Sequence, residues 1–560
     1  MPSLILGPLL RYVGETEATV WVETDAACDV EVLGRSARTF QVAGHHYALV
    51  VLDGLAPGTA YPYQVRLDAV AAWPEPSSGQ PGSVLRTLAP TGPLRLVFGS
   101  CRITAPHAPP WSVPSGDGTG VGRDALRAYA LRLRGAAPER WPALLLLVGD
   151  QVYADATGPE VQAFIRSRRD PGRPPGLEVA DFEEYTRLYR AAWTDPPVRW
   201  LLSTVPSAMI CDDHDVHDNW NCSAAWLAVM RATSWWEERV TGGLMAYWLY
   251  QHVGNLAPAE LAADPTFLAL TGAVGSSGQD GAAWLRSQAA AWDQGRGLGF
   301  SHARRLGATR LVVIDVRGDR VLAPRRELVA DGHWRQVDRW LAGDADHLVV
   351  VSSLPWLLAP AAHHLEAWNE AVCAGAWGRR LARLGERLRQ RLALEHWAAF
   401  AGSFDRLAAA ISDVGAGRRG APPSSILVLS GDVHYSYLAR ARWTAGADVR
   451  SRVFQVVCSP LRNRLSPRLR LATRVAMLRP VAWAWRVIAA LAGAPRPSPR
   501  WRVLEGPCFD NQVATVDLDG RAARLRIERV AGGSDDTPGL AVLLDRDLAG
   551  GAPGPGSTPA

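Results

Sequence analysis

From residue 94 onwards, apolar runs alternate with amphipathic stretches along the chain. The apolar runs lie at 94–98, 144–148, 206–211, 309–315, 347–353, 424–430, 453–458, 511–517 and 522–528. Stretches with helical periodicity separate them, among them 124–135, 182–193, 234–253 and 395–411. Buried strands that alternate with helices in this way predict an α/β domain.

Residues 1–92 follow a different pattern, in which short alternating or apolar segments are separated by turn residues. This pattern predicts a small all-β sandwich of the fibronectin-like type, and residues 55–63 resemble the turn and tyrosine corner of such sandwiches. The segment has no cluster of titratable residues, which favours a packing or lid role. We therefore predict a β-sandwich domain over 1–92, an α/β domain over 93–548 and a disordered Gly/Pro/Ser-rich tail over 549–560.

Composition and charge narrow the class of protein. The chain has 560 residues, is 48% hydrophobic and 21% charged, and carries a net charge of +5. Its basic residues form no block interleaved with aromatic residues, so we expect no binding to nucleic acid. Seven cysteines without a CxxC spacing favour a reducing compartment, and the N-terminus lacks a signal-peptide pattern, so we expect a cytoplasmic protein. No uncharged stretch reaches the roughly 20 residues of a membrane span.

Residues 465–500 combine several arginines with Leu, Val, Ala and Trp. Two interpretations stay open for this segment. It forms an amphipathic helix that makes weak contact with a membrane surface, or its helices pack on the α/β domain with the arginine stems along apolar surface. The absence of other membrane signals favours the second.

Polar clusters follow four of the apolar runs. Cys101 follows the first run, Asp150 and Tyr153 the second, residues 212–215 the third, and residues 432–434 the fourth. The carboxyl ends of parallel strands are where α/β sheets bind ligands. Thiolate, carboxylate, phenolate and imidazole groups are metal ligands. Each cluster alone also has a structural explanation, such as a buried cysteine or a helix-capping aspartate, but four in the same setting predict one metal-centred hydrolase site.

The individual residue types suggest roles within that site. Asp150 can bridge two cations, as in binuclear hydrolases, and a phenolate from Tyr153 favours a trivalent ion such as Fe(III). Asp432 and His434 can each give a ligand to one of two metals. His214, in the acidic segment 212–219, is placed to bind a phosphate oxygen or to protonate a leaving group.

A fifth candidate follows the run at 309–315. Arg317 either contacts a substrate phosphate with two nitrogens or forms a structural pair with Asp315. The residues themselves favour neither.

The motifs FGSC, GDQVY, DDHDVHDN, IDVR and SGDVH, in this order, resemble those of the PhoD-like alkaline phosphatases of the calcineurin-like metallophosphoesterase superfamily. The resemblance covers about residues 94–530, and residues 1–92 resemble the β domain that precedes the phosphatase in that family. It implies a four-layer α/β/β/α fold, a small-molecule phosphate ester as substrate, and a centre of Fe(III) and Ca(II), with other divalent metals open.

The resemblance also implies ligands by position. Iron is then held by Cys101, Asp150, Tyr153 and His434, with Asp150 bridging. The divalent ions are held by Asp213, Asp432 and Asn219. His214 and Arg317 are then the catalytic groups, with His214 the acid or phosphate-binding group.

The chain departs from the family in three respects. Asp215 stands where the family usually has Glu, the twin-arginine leader common in exported members is missing, and residues 465–500 are extra. The expected function is hydrolysis of phosphate esters by a metal-bound hydroxide. Two alternatives stay open: a phosphodiesterase or phospholipase-D-like hydrolase that uses the same site, and a non-catalytic scaffold. The sequence predicts neither the natural substrate nor the oligomeric state.

Overall fold

The N-terminal part of the chain consists of small antiparallel sheets. The computed structural model describes residues 1–75, 79–113, 120–272, 279–297, 299–444 and 446–548. The strand orders here are β1-β2-β6-β5, β4-β3-β8-β9 and β10-β7. The strands are β1 (Leu4–Val13), β2 (Ala18–Thr24), β3 (Asp29–Val32), β4 (Arg35–Arg38), β5 (Phe40–Val42), β6 (His45–Leu52), β7 (Ala60–Tyr63), β8 (Val65–Leu67), β9 (Val70–Trp73) and β10 (Ser83–Arg86).

Strand β2 packs on both of its faces, one towards the core of the N-terminal sheets and one towards the rest of the chain. Val20 and Val22 point into the core of the N-terminal sheets, whereas Trp21 packs against Tyr250 of the following part, with ring centroids 5.3 Å apart. Because successive side chains of a strand point to opposite faces, both faces of β2 are buried. The Tyr61 hydroxyl accepts a hydrogen bond from the Ala56 amide (2.7 Å), as expected for the predicted tyrosine corner.

Two larger mixed sheets form the rest of the fold. The first has the order β13-β12-β11-β21-β22-β23, and the second has the order β14-β15-β16-β17-β19-β18-β20. The pairs β11/β12, β12/β13, β15/β16, β16/β17 and β17/β19 are parallel. The strands are β11 (Leu94–Gly99), β12 (Leu144–Val148), β13 (Ser207–Ile210), β14 (His302–Leu306), β15 (Thr309–Ile314), β16 (His347–Ser352), β17 (Ser425–Ser430), β18 (Ser436–Arg442), β19 (Arg452–Val457), β20 (Arg500–Cys508), β21 (Gln512–Asp519), β22 (Ala522–Gly533) and β23 (Pro538–Asp547).

The alternation of side chains along the second sheet creates the layers. Val349 and Val351 of β16 share a core with the first sheet, whereas Leu348 and Val350 pack with helices on the opposite face. The first sheet packs on its outer side against helices such as Ala125–Arg134. The predicted α/β/β/α fold class with a preceding all-β part is therefore confirmed.

Helices cover both sheets and fill the connections. In the described residues the α-helices are Ala125–Arg134, Pro159–Arg168, Phe182–Trp193, Pro196–Thr204, Ala224–Arg231, Trp236–Ala246, Pro258–Leu261, Pro265–Thr271, Ala282–Asp293, Asp331–Leu341, Pro360–Cys373, Arg379–Arg391, Ala401–Gly415, Pro467–Ala476 and Arg479–Leu491. A π-helix, Tyr247–His252, continues the helix that ends at Ala246. None of the helices within the described ranges combines the length and apolar character needed to cross a bilayer.

Each apolar run that predicts a strand forms one. The pattern misses β14, β18, β20 and β23, which are antiparallel additions rich in arginine or only half-buried. The domain boundaries at 92 and 548 stay predictions, and the tail over 549–560 lies outside the described residues.

Arg11 ties the N-terminal part to the larger sheets. Its side chain is fully buried and donates hydrogen bonds to the backbone oxygens of Gln251 (2.6 Å) and Tyr250 (3.2 Å). A buried guanidinium needs such acceptors because desolvation of the charge is costly. The N-terminal part therefore fixes the backbone of a segment whose Gln251 side chain reaches the site described below.

Candidate metal centre

The carboxyl ends of β11, β12, β13 and β17 meet at one edge of the two sheets. Gly431, directly after β17, is what allows the close approach. A Cβ atom on Gly431 would collide with the Ser100 side chain and would lie 2.7 Å from the Val148 carbonyl oxygen. The end of the second sheet is therefore in contact with the ends of two strands of the first.

The residues that follow these strands adopt unusual backbone angles. The φ value is 57° at Cys101, 50° at Asp150, 66° at Asp432, 55° at His434 and 63° at Asn219. For residues other than glycine, this left-handed region costs of the order of 1–3 kcal/mol each and persists only where surrounding contacts impose it. Five of the seven predicted metal ligands share this strain, which points to a functional constraint on their side chains.

The first group of ligand-type atoms belongs to Cys101, Asp150 and His434, which lie within 4.8 Å of one another. The Tyr153 hydroxyl donates to Asp150 Oδ2 (3.3 Å) and so joins the group. Burial raises the pKa of the Cys101 thiol and of the Tyr153 phenol. Burial also lowers the pKa of His434 to about 4, which leaves its imidazole in the neutral form that binds metals.

The second group consists of Asp212, Asp213 and Asp432, again within 4.8 Å. The backbone nitrogen of Asn219 donates to Asp213 Oδ2 (2.9 Å), so Asn219 borders the group. Asp150 also lies within 4.8 Å of Asp213 and His214. Asp150 therefore connects the two groups, as a carboxylate shared between two cations would.

These carboxylates are too crowded to be charged together without cations. Burial, and then repulsion from neighbouring aspartates, raises the pKa of Asp150, Asp212 and Asp213. Several buried oxygens here have no hydrogen-bond partner among the described residues: Asp150 Oδ1, Asp212 Oδ2, Asp213 Oδ1 and Asn219 Oδ1. Oxygen ligands of this kind suit Ca²⁺ or Mg²⁺, and the thiol, phenol and imidazole suit a transition metal. The residues therefore fit a centre with more than one metal ion.

Arg317 supplies a permanent positive charge behind the second group. Its fully buried guanidinium pairs with Asp212 and with Glu395 (2.6 Å), and lies 3.4 Å from Asp213 and 3.5 Å from Asp432. Only its backbone nitrogen bonds Asp315 (2.9 Å). The pair with Asp315 that the sequence left open is therefore replaced by a pair with Asp212. A phosphate contact by Arg317 stays a prediction, since its nitrogens already face carboxylates.

His396 holds Asp432 from the side opposite to Arg317. Its Nε2 lies 2.9 Å from Asp432 Oδ2, and its Nδ1 lies 2.6 Å from Glu366 Oε1. Burial opposes ionisation of Asp432, but the bond from His396 and the charges of His396 and Arg317 hold the pKa of that carboxyl below its usual range. The pKa of Asp432 is therefore shifted in the direction opposite to those of Asp150, Asp212 and Asp213.

His214 lies beside the first group and is held by Asp155. Its Nδ1 is 2.9 Å from both Asp155 oxygens, and its ring stacks on Tyr153 with centroids 4.4 Å apart. Although burial opposes it, the charge of Asp155 raises the pKa of His214 above its ordinary value. The same contact outweighs burial on the other partner and lowers the pKa of Asp155 to about 2. The pair with Asp155 therefore favours the protonated form of His214, whose Nε2 lies 4.0 Å from Asp218 Oδ1.

Asp215 braces the backbone beneath the site. Its Oδ2 accepts hydrogen bonds from the amides of Asp150 (3.1 Å) and Asp212 (2.8 Å), and its Oδ1 accepts one from Gln251 Nε2 (3.0 Å). Asp215, although shorter than the Glu expected at this position, thus still links the ends of β12 and β13.

Parts of the sequence and the fold resemble those of known proteins. Residues 127–262 match the profile of the PhoD-like phosphatase family. Residues 1–85 match a domain family of unknown function, DUF7800. A solved structure of PhoD superposes with a TM-score of 0.55 at 12% identity, covering 98% of this chain and 94% of that one. The family match over residues 127–262 and the structural match to PhoD support a PhoD-like assignment.

Other comparisons add little. No curated protein matches the chain in sequence. A maltogenic amylase from S. marinus covers 96% of this chain and 80% of its own at 9% identity, but its TM-score of 0.16 carries no structural argument. The PhoD-like assignment supports a phosphoesterase function for the chain and, with the clusters above, metal dependence.

The structure brings every predicted site residue to this one edge, although their individual roles stay predictions. The residues are Cys101, Asp150, Tyr153, Asp213, His214, Asn219, Arg317, Asp432 and His434.

Sequence reasoning missed several residues of this site. Asp212 stands within one of the quoted motifs, and Asp155 follows another by two residues. Their carboxylates next to predicted ligands were an available signal. Glu395 and His396 follow no strand, so only their adjacency in an apolar segment marks them. Asn463, whose amide donates to the Tyr153 hydroxyl (3.1 Å), has no sequence signal at all.

Substitution of Gly431 by Ala should separate the two sheet ends. We expect a loss of about 1–3 kcal/mol of stability from overpacking and a lower metal content, since Asp432 and His434 would move away from Cys101. Thermal unfolding and elemental analysis would measure the two effects. Gly402→Ala is the matched control, because a Cβ there meets nothing within 4 Å. A Gly431→Ala protein with the stability and metal content of the wild type would contradict this view of the site.

Proposed function

We propose that the chain hydrolyses phosphate esters in a metal-dependent reaction at a binuclear or larger centre of Fe(III) and Ca(II). The observation that carries the proposal is the position of Asp150 within 4.8 Å both of the Cys101 and His434 ligand atoms and of the Asp213 ligand atom. The PhoD-like family assignment supports the reaction class.

The proposed iron ligands are Cys101, Asp150, Tyr153 and His434, and the proposed calcium ligands are Asp150, Asp212, Asp213, Asn219 and Asp432. Cations bound by such ligands lower the pKa of water and neutralise charge on the phosphoryl oxygens. Asp212 enters this set because one of its oxygens is buried without a hydrogen-bond partner among the described residues. The chain itself keeps these side chains in place through the strained strand ends.

His214 is proposed as the proton donor to the leaving group. Asp155 holds its Nδ1, so that Nε2 is the nitrogen that faces a bound ester. The ring is stacked on Tyr153 and only partly buried. A fixed imidazolium at the open side of the site can bind a phosphate oxygen in the ground state and release its proton as the ester bond breaks.

Asp150→Asn tests the shared carboxylate. We expect the loss of bound metal and a fall in phosphatase activity of roughly a thousandfold or more, because both cations lose a charged ligand. Elemental analysis of protein purified without chelators, together with p-nitrophenyl phosphate hydrolysis, gives the two readouts. Asp53→Asn, at an exposed aspartate of the N-terminal part, should change neither. Wild-type protein that is free of metal and inert would instead support the scaffold alternative.

Asp155→Asn tests the role of His214. As the acid, His214 must be protonated, so kcat falls as the pH rises through its pKa. The Asp155 charge raises that pKa, and its removal should move the alkaline limb of the kcat profile to lower pH by about 1–2 units. His217→Asn, on the same loop but not paired with Asp155, should leave the limb in place. An unmoved limb in Asp155→Asn would exclude His214 as the acid.

A cavity beside Asp155 favours a second candidate, a phosphodiesterase. It has a volume of about 480 Å³, and its lining includes Trp111, Asp155, Gln162 and Leu177. Space of this size and mixed polarity on the His214 side can hold an organic group attached to the phosphate. A diester carries an organic group on each of two ester oxygens, so one group can occupy the cavity while the other leaves. A small monoester carries a single organic group and can be hydrolysed without the cavity.

Rates on p-nitrophenyl phosphate and on bis(p-nitrophenyl) phosphate would separate the two candidates. If the cavity holds a diester substituent, Leu177→Trp should raise KM for the bis-ester by about tenfold, since a filled pocket loses most of its contacts, and should leave the monoester unaffected. Equal effects of Leu177→Trp on both esters would mean that the cavity does not support a phosphodiesterase function.

A further inference from the structure

The helices Pro467–Ala476 and Arg479–Leu491 present apolar side chains to solvent. On the first, Leu471 and Val475, with Leu478 just after it, follow a spacing of four and three residues. On the second, Trp483, Val487 and Leu491 follow a spacing of four. Leu471, Trp483 and Leu491 are 63%, 61% and 73% exposed. Large apolar residues in this order form a stripe along a helix, and exposed stripes of this kind mark interaction surfaces.

The exposed stripes are separate from the helix faces that pack on the rest of the protein. On the second helix, Ala489 is buried and Trp485 packs against Trp368 with ring centroids 5.5 Å apart. On the first, Arg470 and Arg474 lie over the ring of Phe509 at 5.6 and 5.3 Å. Both helices are therefore attached through one side, and the exposed apolar side chains lie outside those contacts.

The charge around the stripes has a single sign. Residues 464–504 contain nine arginines and no Asp or Glu. Arg468, Arg479, Arg486 and Arg496 have no carboxylate of the described residues within 4.0 Å. Unpaired cations beside exposed Leu, Val and Trp are the composition of helices that lie in the interface of an anionic bilayer.

We propose that helices Pro467–Ala476 and Arg479–Leu491 dock the chain on the surface of a bilayer that contains anionic phospholipid. A second copy of the chain fits this surface poorly, because two such faces would bring arginines together without carboxylates. Nucleic acid would pair with the arginines but would leave the Leu and Val side chains without apolar partners. A lipid surface satisfies both the charge and the apolar stripes.

The docking surface borders the candidate metal centre. Asn463, which contacts Tyr153, precedes the first helix by four residues. The second helix packs on helix Pro360–Cys373, which carries Glu366, the partner of His396. If the proposed function holds, docking keeps the site beside the membrane surface, where esters with a lipid part are concentrated.

Vesicle flotation of the full-length protein tests the docking. The probes are phosphatidylcholine vesicles with and without phosphatidylglycerol. We expect binding only to the anionic vesicles, with weakening at high salt. The double variant Trp483→Glu with Leu491→Glu, and the triple variant of Arg468, Arg479 and Arg486 to Glu, should each weaken binding by at least about tenfold. Val229→Glu, at a valine that is 64% exposed elsewhere on the surface, should bind as the wild type does.

We expect the thermal unfolding temperature and the rate of p-nitrophenyl phosphate hydrolysis to be unchanged in all variants. Unchanged values show that a loss of vesicle binding is not caused by misfolding. Equal binding by wild type and both variants, or no binding to anionic vesicles, would overturn the proposal. So would a dimer in sedimentation that the Trp483 and Leu491 changes dissociate, or a preference for duplex DNA over vesicles. Flotation needs no turnover, so its result is separate from the fate of the proposed phosphoesterase function.

Discussion

The concentration of buried carboxylates at one sheet edge is the constraint on which the rest of the site depends. Asp150, Asp212, Asp213 and Asp432 lie close together in an environment that raises the pKa of three of them. Buried negative charges of this density are unstable unless cations compensate them. Arg317 and His396 compensate part of the charge from within the chain, and both act on Asp432. The uncompensated oxygens face the position where metal ions fit.

The backbone is arranged to keep that edge closed. Gly431 lets the end of β17 touch the ends of β11 and β12, and Asp215 joins the amides of Asp150 and Asp212. The left-handed backbone angles of five candidate ligands are the local cost of turning their side chains towards one point. A site built this way is rigid, because a movement of either sheet would break contacts on both.

Parts of the chain far from the ligands also reach the site through short chains of contacts. On one side, Arg11 of the N-terminal sheets fixes the backbone of Gln251, whose side chain bonds Asp215. On the other, the arginine-rich helices after Asn463 pack on the helix that carries Glu366. Through Arg11 the N-terminal part therefore supports the backbone beneath the centre. The arginine-rich helices give the molecule a distinct exposed face beside the centre.

The sequence by itself determined the fold class and most of the candidate ligands. Buried parallel strands need long apolar runs, so β11, β12, β13, β15, β16 and β17 were all visible, and polar residues at their ends marked Cys101, Asp150, Asp213 and Asp432. The edge strands β14, β20 and β23 were missed because half-exposed strands do not require an apolar pattern. The antiparallel strand β18 was missed although it is mostly buried, because arginines interrupt its apolar run. Only the tertiary structure decided that Arg317 pairs with Asp212, that His396 holds Asp432, and that the helices after residue 466 keep an apolar side exposed. Those outcomes depend on which side chains meet across two sheets and on which face of a helix is covered. The periodicity of apolar residues along the sequence carries no information about either contact.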